Sequence, residues 1–65
     1  MGDGPAKREV YLEFILQASL MKATAIDSLT GTEAVVFGPA TASREALGRA
    51  AAAKLGYLLK KAKGE

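Results

Sequence analysis

The residues that most often carry out catalysis are scarce in this 65-residue chain. It contains neither histidine nor cysteine, which removes the usual base of a nucleophilic triad, disulfides and the commonest zinc ligands. A serine–lysine pair remains formally possible, but Ser19, Ser28 and Ser43 each suit a turn or a helix cap. The sequence therefore predicts that the protein is not an enzyme and uses no cofactor.

Carboxylates are the remaining candidates for chemistry. Glu9 and Glu13 share one side of a predicted strand, and Asp27 and Glu33 flank a turn; both pairs are more simply read as solvated surface groups. Asp27, Thr30 and Glu33 could hold a hard cation only weakly, because the loop is short and poor in oxygen ligands. We therefore predict no metal site.

Three segments have the alternating pattern of β-strands. They cover residues 9–17, 20–27 and 32–37. Gly38 and Pro39 end the third strand, because proline cannot donate to the hydrogen-bond ladder.

A helix is predicted over residues 43–62, with Thr41 or Ser43 as its N-cap. Its apolar stripe consists of Leu47, Ala51, Leu55, Leu58, Leu59 and Ala62. We expect this stripe to lie on the sheet over Val10, Leu12, Phe14, Met21 and Val36. The fold class is therefore α+β: a three-stranded antiparallel meander followed by one C-terminal helix packed on one face (β-β-β-α).

The connection between the first two strands contains no glycine, so a two-residue turn is disfavoured. A four-residue loop, 16–19, is expected instead. The resulting register pairs Phe14 with Met21, Leu12 with Ala23, Val10 with Ala25 and Glu13 with Lys22.

The second connection has stronger turn signals, with Asp27 at its start and Gly31 where a left-handed residue is needed. A four-residue loop pairs Ala25 with Ala34 and Ala23 with Val36, whereas a three-residue loop with a bulge would turn Val35 and Phe37 inward. We favour the first arrangement, in which Gly31 takes the last loop position.

One helix covers only one face of the sheet, and apolar side chains remain on the other face, here called the uncovered face. They are Tyr11, Ile15, Leu20, Ile26, Val35 and Phe37. An exposed apolar patch usually marks an interface. We therefore predict a homo-oligomer or a protein partner bound through Tyr11, Ile15, Ile26, Val35 and Phe37.

The charges are unevenly distributed. Residues 1–43 carry three basic and five acidic groups, and residues 44–65 carry six basic and two acidic groups. The simpler interpretation is that lysines interact favourably with the helix dipole at the C-terminus of the helix. The alternative is nucleic-acid binding through Arg44, Arg49, Lys54, Lys60, Lys61 and Lys63.

The chain is predicted to divide into a disordered leader, residues 1–7, a single domain, 8–62, and a frayed tail, 63–65. No apolar run suits a signal peptide or a membrane span, so we expect a cytoplasmic protein without a membrane partner. A core this small is marginal on its own, which also favours self-association.

The residues also resemble a known family. The segments Tyr11-Leu-Glu-Phe14, Lys22-Ala-Thr-Ala-Ile-Asp27, Thr30-Gly-Thr-Glu33, Gly38-Pro-Ala40 and Lys54-Leu-Gly-Tyr-Leu58 are similar to a family of short alphaproteobacterial proteins of unknown function. The resemblance covers about residues 8–62. It supports the fold and implies no activity, because its motifs are turn and core residues.

A weaker resemblance is to the double-stranded RNA-binding domain, whose last helix is similar to Ser43-Arg-Glu-Ala46 and to Ala50-Ala-Ala-Ala-Lys54-Leu55. That domain also needs a preceding helix, a histidine in a strand loop and lysines at the start of the final helix. Here histidine is absent, and Glu45 stands where a lysine is wanted.

Overall fold

Three strands and one helix follow one another along the chain, and a computed structural model describes residues 8–62. The elements are β1 (Val10–Gln17), β2 (Leu20–Asp27), β3 (Glu33–Pro39) and α1 (Arg44–Ala62). The strands form one antiparallel sheet in the order β1-β2-β3, and α1 packs on one face of it. This confirms the predicted β-β-β-α fold. The predicted leader, 1–7, and tail, 63–65, lie outside the described residues.

The core is built mainly from alanines. Ala23, Ala25 and Ala34 of the sheet are buried against Ala51 and Leu55 of the helix. Small side chains on both layers let the helix approach the sheet closely. Partly buried side chains surround this centre: Phe14, Val36, Leu47, Leu58 and Leu59. The predicted helical stripe is therefore confirmed except at its end, since Ala62 is exposed.

The β2–β3 hairpin has the register that the sequence predicted. Ala25 pairs with Ala34, and Ala23 pairs with Val36, so Ala34 and Val36 face the helix. Gly31 takes a positive φ of 77°, and its N–H donates to the carbonyl of Asp27 at 2.8 Å. Of the two loops that the sequence allowed, the structure has the favoured one, with four residues and Gly31 at its last position.

The predicted β1–β2 register is wrong by two residues. Phe14 pairs with Ala23 and Leu12 with Ala25, while Glu13 lies opposite Thr24 rather than Lys22. The loop is a two-residue turn whose first residue, Ala18, has a φ of 53°. The shift keeps every side chain on its predicted face, because strand faces alternate with a period of two. A left-handed alanine costs about 1–2 kcal/mol, and the two-residue turn extends the ladder to the pair Gln17 and Leu20.

The helix also lies further from β1 than predicted. It packs over β2 and β3 and barely contacts β1, so Val10 and Leu12 are each 45% exposed rather than covered. The closest approach is at Gly48, where an added Cβ would stand 3.1 Å from Leu12 Cδ1 and 3.3 Å from Phe14 Cζ. Bulky side chains on β1 and small ones on β2 and β3 explain this offset.

The helix begins as its cap predicts. Ser43, not Thr41, is the N-cap: its Oγ accepts a hydrogen bond from the N–H of Ala46 at 3.2 Å, which satisfies one of the free donors of the first turn. Within the part of the chain that the structure describes, no helix is long and apolar enough to cross a membrane.

Candidate interaction surfaces

The structure places the five predicted interface residues together on the uncovered face. Tyr11 and Phe37 are the most exposed of them, at 55% and 59%. Ile15 is also exposed, whereas Ile26 and Val35 are half-buried by their neighbours. Because these residues alternate with the buried alanines of the core, they all lie on the side away from the helix.

Cross-strand pairing arranges this face in rows. Tyr11 lies beside Ile26 in one row, and Ile15, Lys22 and Phe37 form another. Between these rows lies Thr24, which is buried although no helix covers it. Each of these rows therefore combines two apolar side chains with one charged residue, Glu33 in the first and Lys22 in the second, and the centre of the face is closely packed.

Tyr11 has a defined polar partner. Its hydroxyl donates to Glu9 Oε1 at 2.9 Å. This hydrogen bond, together with the negative charge of the Glu9 carboxylate, raises the pKa of Tyr11 above its ordinary value. The hydrogen bond engages only the hydroxyl group, and the ring of Tyr11 remains exposed.

A second apolar surface was not predicted from the sequence. We call it the β1–α1 groove. It consists of two adjoining cavities of about 400 and 560 Å³, which share Ala52 of the helix. Val10 and Leu12 of β1 form its strand side, and Gly48 and Leu59 belong to its helix side. The sequence contained one signal for this groove: the residues on the inner side of β1 are too large for one helix to cover.

The basic residues of α1 do not form one surface. Arg44, Arg49 and Lys60 line the β1–α1 groove, and the Arg49 guanidinium lies 3.4 Å from the Glu45 carboxylate. Lys54 lies on the opposite flank, where its Nζ donates to the carbonyl oxygen of Val35 at 2.9 Å. Lys63 falls outside the described residues.

Two basic groups of α1 also lie over aromatic rings. The Arg44 guanidinium is 5.8 Å from the centroid of Phe14, and Lys61 Nζ is 5.7 Å from that of Tyr57. Both distances are within the range of a cation–π contact. Three of the described cations of α1 thus line the groove beside β1, whereas Lys54 lies on the flank of β3.

Asp27 organises the turn after β2. Its side chain is buried, and Oδ2 accepts hydrogen bonds from the N–H and the hydroxyl of Thr30 at 3.0 and 2.7 Å. Oδ1 lies 2.9 Å from Arg8 Nε. The hydrogen bonds from Thr30 are the main cause that lowers the pKa of Asp27, with a smaller contribution from the Arg8 charge; burial opposes them. This carboxylate is thus an ionised turn-former.

Asp27 and Glu33, which the sequence grouped around a turn, lie on opposite faces of the sheet. Asp27 faces the helix side, while Glu33 pairs with Ile26 and lies on the uncovered face. Among residues 8–62 there is no cluster of three or more histidine, cysteine, aspartate or glutamate side chains able to hold a metal. Ser28 and Ser43 are engaged in the turn and the cap.

These features define a class: a small α+β domain with one covered sheet face, one uncovered apolar face and a groove beside its first strand. A family profile described as a domain of unknown function, DUF6898, matches residues 7–62. The chain belongs to that family. Comparison with curated proteins and with solved structures found no significant match.

Proposed function

We propose that the protein is a non-enzymatic interaction module of the cytoplasm that binds a protein, a second copy or another chain, through its uncovered face. The observation that carries the proposal is the position of Tyr11, Ile15 and Phe37, which are all exposed on one side of a regular sheet. Large apolar groups grouped in this way favour association, since burying one of them contributes about 1.5–3 kcal/mol.

The composition of the face supports a protein rather than a charged polymer as its ligand. Lys22 is half-buried between Ile15 and Phe37, and Glu13 and Glu33 lie on the same face. Aromatic anchors next to mixed charges are typical of protein interfaces. A nucleic-acid surface would instead need clustered cations, and Lys22 is the single cation among the strand residues that form this face.

Photo-crosslinking in the native cells tests the proposal. A photoreactive phenylalanine analogue placed at Phe37 should give a protein adduct on illumination, either twice the mass of the chain or larger. The matched control is the same analogue at Leu29, which is 49% exposed in the β2–β3 loop and off the uncovered face.

The outcomes are separable by mass and by nuclease treatment. Adducts from position 37 that are absent from position 29 and resist nuclease support the proposal. Equal labelling from both positions, or adducts that disappear with nuclease, would refute it, and the second result would favour RNA or DNA as the ligand.

A further inference from the structure

The two free edges of the sheet differ in their protection. At the edge of β3, Lys54 Nζ donates to the carbonyl oxygen of Val35 at 2.9 Å. A lysine at an edge is one of the common devices that prevent pairing with another chain. At the outer edge of β1, by contrast, no side chain among residues 8–62 donates to or accepts from the backbone of Val10–Gln17.

The backbone groups that face outward from β1 can be identified. The N–H of Glu9 donates to Ser28 Oγ, and the Glu9 carbonyl accepts from the Ser28 N–H, both at 2.9 Å. The peptide groups of Glu9 therefore point toward β2. Because this direction alternates along a strand, the even-numbered residues present their N–H and C=O groups at the free edge. They are Val10, Leu12, Phe14 and Leu16.

The side chains of the same edge residues are apolar and incompletely covered. Leu12 is 45% and Leu16 58% exposed, and Glu13 is the single formal charge in β1. The strand contains neither proline nor lysine. A long apolar edge of this kind is a template for pairing with another strand.

The small core gives a reason for a permanent partner. The buried hydrophobic residues among those described are Met21, Ala23, Ala25, Ala34, Ala51 and Leu55. Four of these six are alanines. Domains below about 70–80 residues rarely obtain enough stability from such a core alone, and they add disulfides, a metal or oligomerisation. Cysteine is absent from this chain, and self-association is the remaining device that needs nothing but the chain itself.

We infer that β1 pairs antiparallel with β1 of a second copy, so that two sheets join into one of six strands. The arrangement is a two-fold interface in which each strand meets itself. An axis at Leu12 sets Val10 opposite Phe14, and an axis at Phe14 sets Leu12 opposite Leu16. An axis at Glu13 would set the two carboxylates opposite each other, which is unfavourable. The self-pairing is therefore centred on Leu12 or Phe14.

This interface is distinct from the uncovered face of the proposed function. It uses the edge of the sheet, and it leaves Tyr11, Ile15 and Phe37 accessible in both copies. It also joins the two β1–α1 grooves into one trough with the paired β1 strands as its floor.

Hydrogen exchange of the unmodified protein tests the inference directly. In a dimer, the outward amides of Leu12 and Phe14 should exchange as slowly as the inward amides of Glu13 and Ile15. In a monomer, they should exchange faster by on the order of a hundredfold. The outward amide of Phe37 at the edge of β3 is the internal control, because no pairing is expected there.

Three matched lysine variants then identify the surface. Leu12, Leu29 and Phe37 are 45%, 49% and 59% exposed. Sedimentation equilibrium should give twice 6.8 kDa for the wild type and for the Leu29→Lys and Phe37→Lys variants, and the monomer mass for Leu12→Lys.

Two results would overturn the inference. One is a monomeric wild type whose Leu12 and Phe14 amides exchange rapidly. The other is a dimer that Phe37→Lys dissociates and Leu12→Lys does not, which would place self-association on the uncovered face. If Leu12→Lys fails to fold, exchange at Leu12 and Phe14 in the wild type decides.

Discussion

β1 and β3 are the two outer strands of one sheet, yet the helix packs differently on each of them. β3 gives Ala34 to the buried core, and its edge accepts a hydrogen bond from Lys54 of the helix. β1 gives only the partly buried Phe14 to that core, and Val10 and Leu12 border an open groove. The helix thus covers the inner face of β3 and leaves the inner face of β1 partly exposed.

Residue size explains the difference. Alanines on β2 and β3 allow the helix to approach, whereas leucine and phenylalanine on β1 hold it away except at Gly48. The apolar side chains of β1 are therefore more than this helix can bury. Their abundance is better explained by an interface than by the core of a single copy.

The largest effect expected from this difference is on stability. Leu55→Ala removes a fully buried side chain between the helix and the sheet and should cost about 2–5 kcal/mol. Leu12→Ala removes a half-exposed side chain and should cost about 1 kcal/mol in the monomer. Urea unfolding of both variants at low protein concentration measures the two values.

Protein concentration sharpens this test. The cost of Leu12→Ala should rise as the protein is concentrated, because a dimer adds its binding free energy to the stability of the fold. The cost of Leu55→Ala should not rise in this way. Equal costs for the two leucines in dilute solution would show that the helix covers β1 as well as it covers β3.

The sequence was sufficient for the fold class and for the β2–β3 hairpin. Alternation assigned the residues of β1 and β2 to their faces. For β3 it left two arrangements open, and the position of Gly31 favoured the one that the structure has. The apolar stripe of the helix was also read correctly from Leu47 to Leu59, because its period needs no knowledge of the sheet.

The β1–β2 register and the position of the helix needed more than local rules. The turn at Ala18 is unfavourable locally, and the gain in ladder length that compensates it is a property of the whole hairpin. The offset of the helix toward β3 depends on how residue sizes add up across three strands. The β1–α1 groove follows from that offset, so no single sequence motif predicts it.

A smaller effect is expected at the two turns that bound β2. The β2–β3 turn has glycine at its left-handed position, whereas the β1–β2 turn has Ala18 with a φ of 53°. Ala18→Gly should relieve a cost of about 1–2 kcal/mol and lose part of it to the greater freedom of unfolded glycine. We expect a net stabilisation of about 0.5–1 kcal/mol, measured by thermal or urea unfolding.

The neighbouring residue provides the control. Ser19 does not have a positive φ, so Ser19→Gly brings the same entropic penalty without relief of strain. It should destabilise the protein by about 0.5–1 kcal/mol. A loss of stability in both glycine variants would show that the turn at Ala18 is not strained.

The smallest effect is a change in the response to acid, at the point where the chain entering β1 is tied to the rest of the domain. Arg8 precedes β1 and lies 2.9 Å from the buried Asp27 carboxylate, whose pKa is lowered chiefly by the hydrogen bonds from Thr30. In the unfolded chain the pKa of this carboxyl should be about 3.9. Because the folded pKa is the lower one, the unfolded state binds more protons in acid. The contribution of Asp27 to stability is therefore complete above the unfolded pKa and is lost as the pH falls through the folded pKa.

Asp27→Asn keeps an oxygen for Thr30 but does not titrate, and its urea midpoint should therefore fall less steeply than that of the wild type below about pH 4. If the urea midpoints of the two proteins fell in parallel as the pH was lowered, this carboxylate would not be the group that holds the start of β1 to the β2–β3 turn.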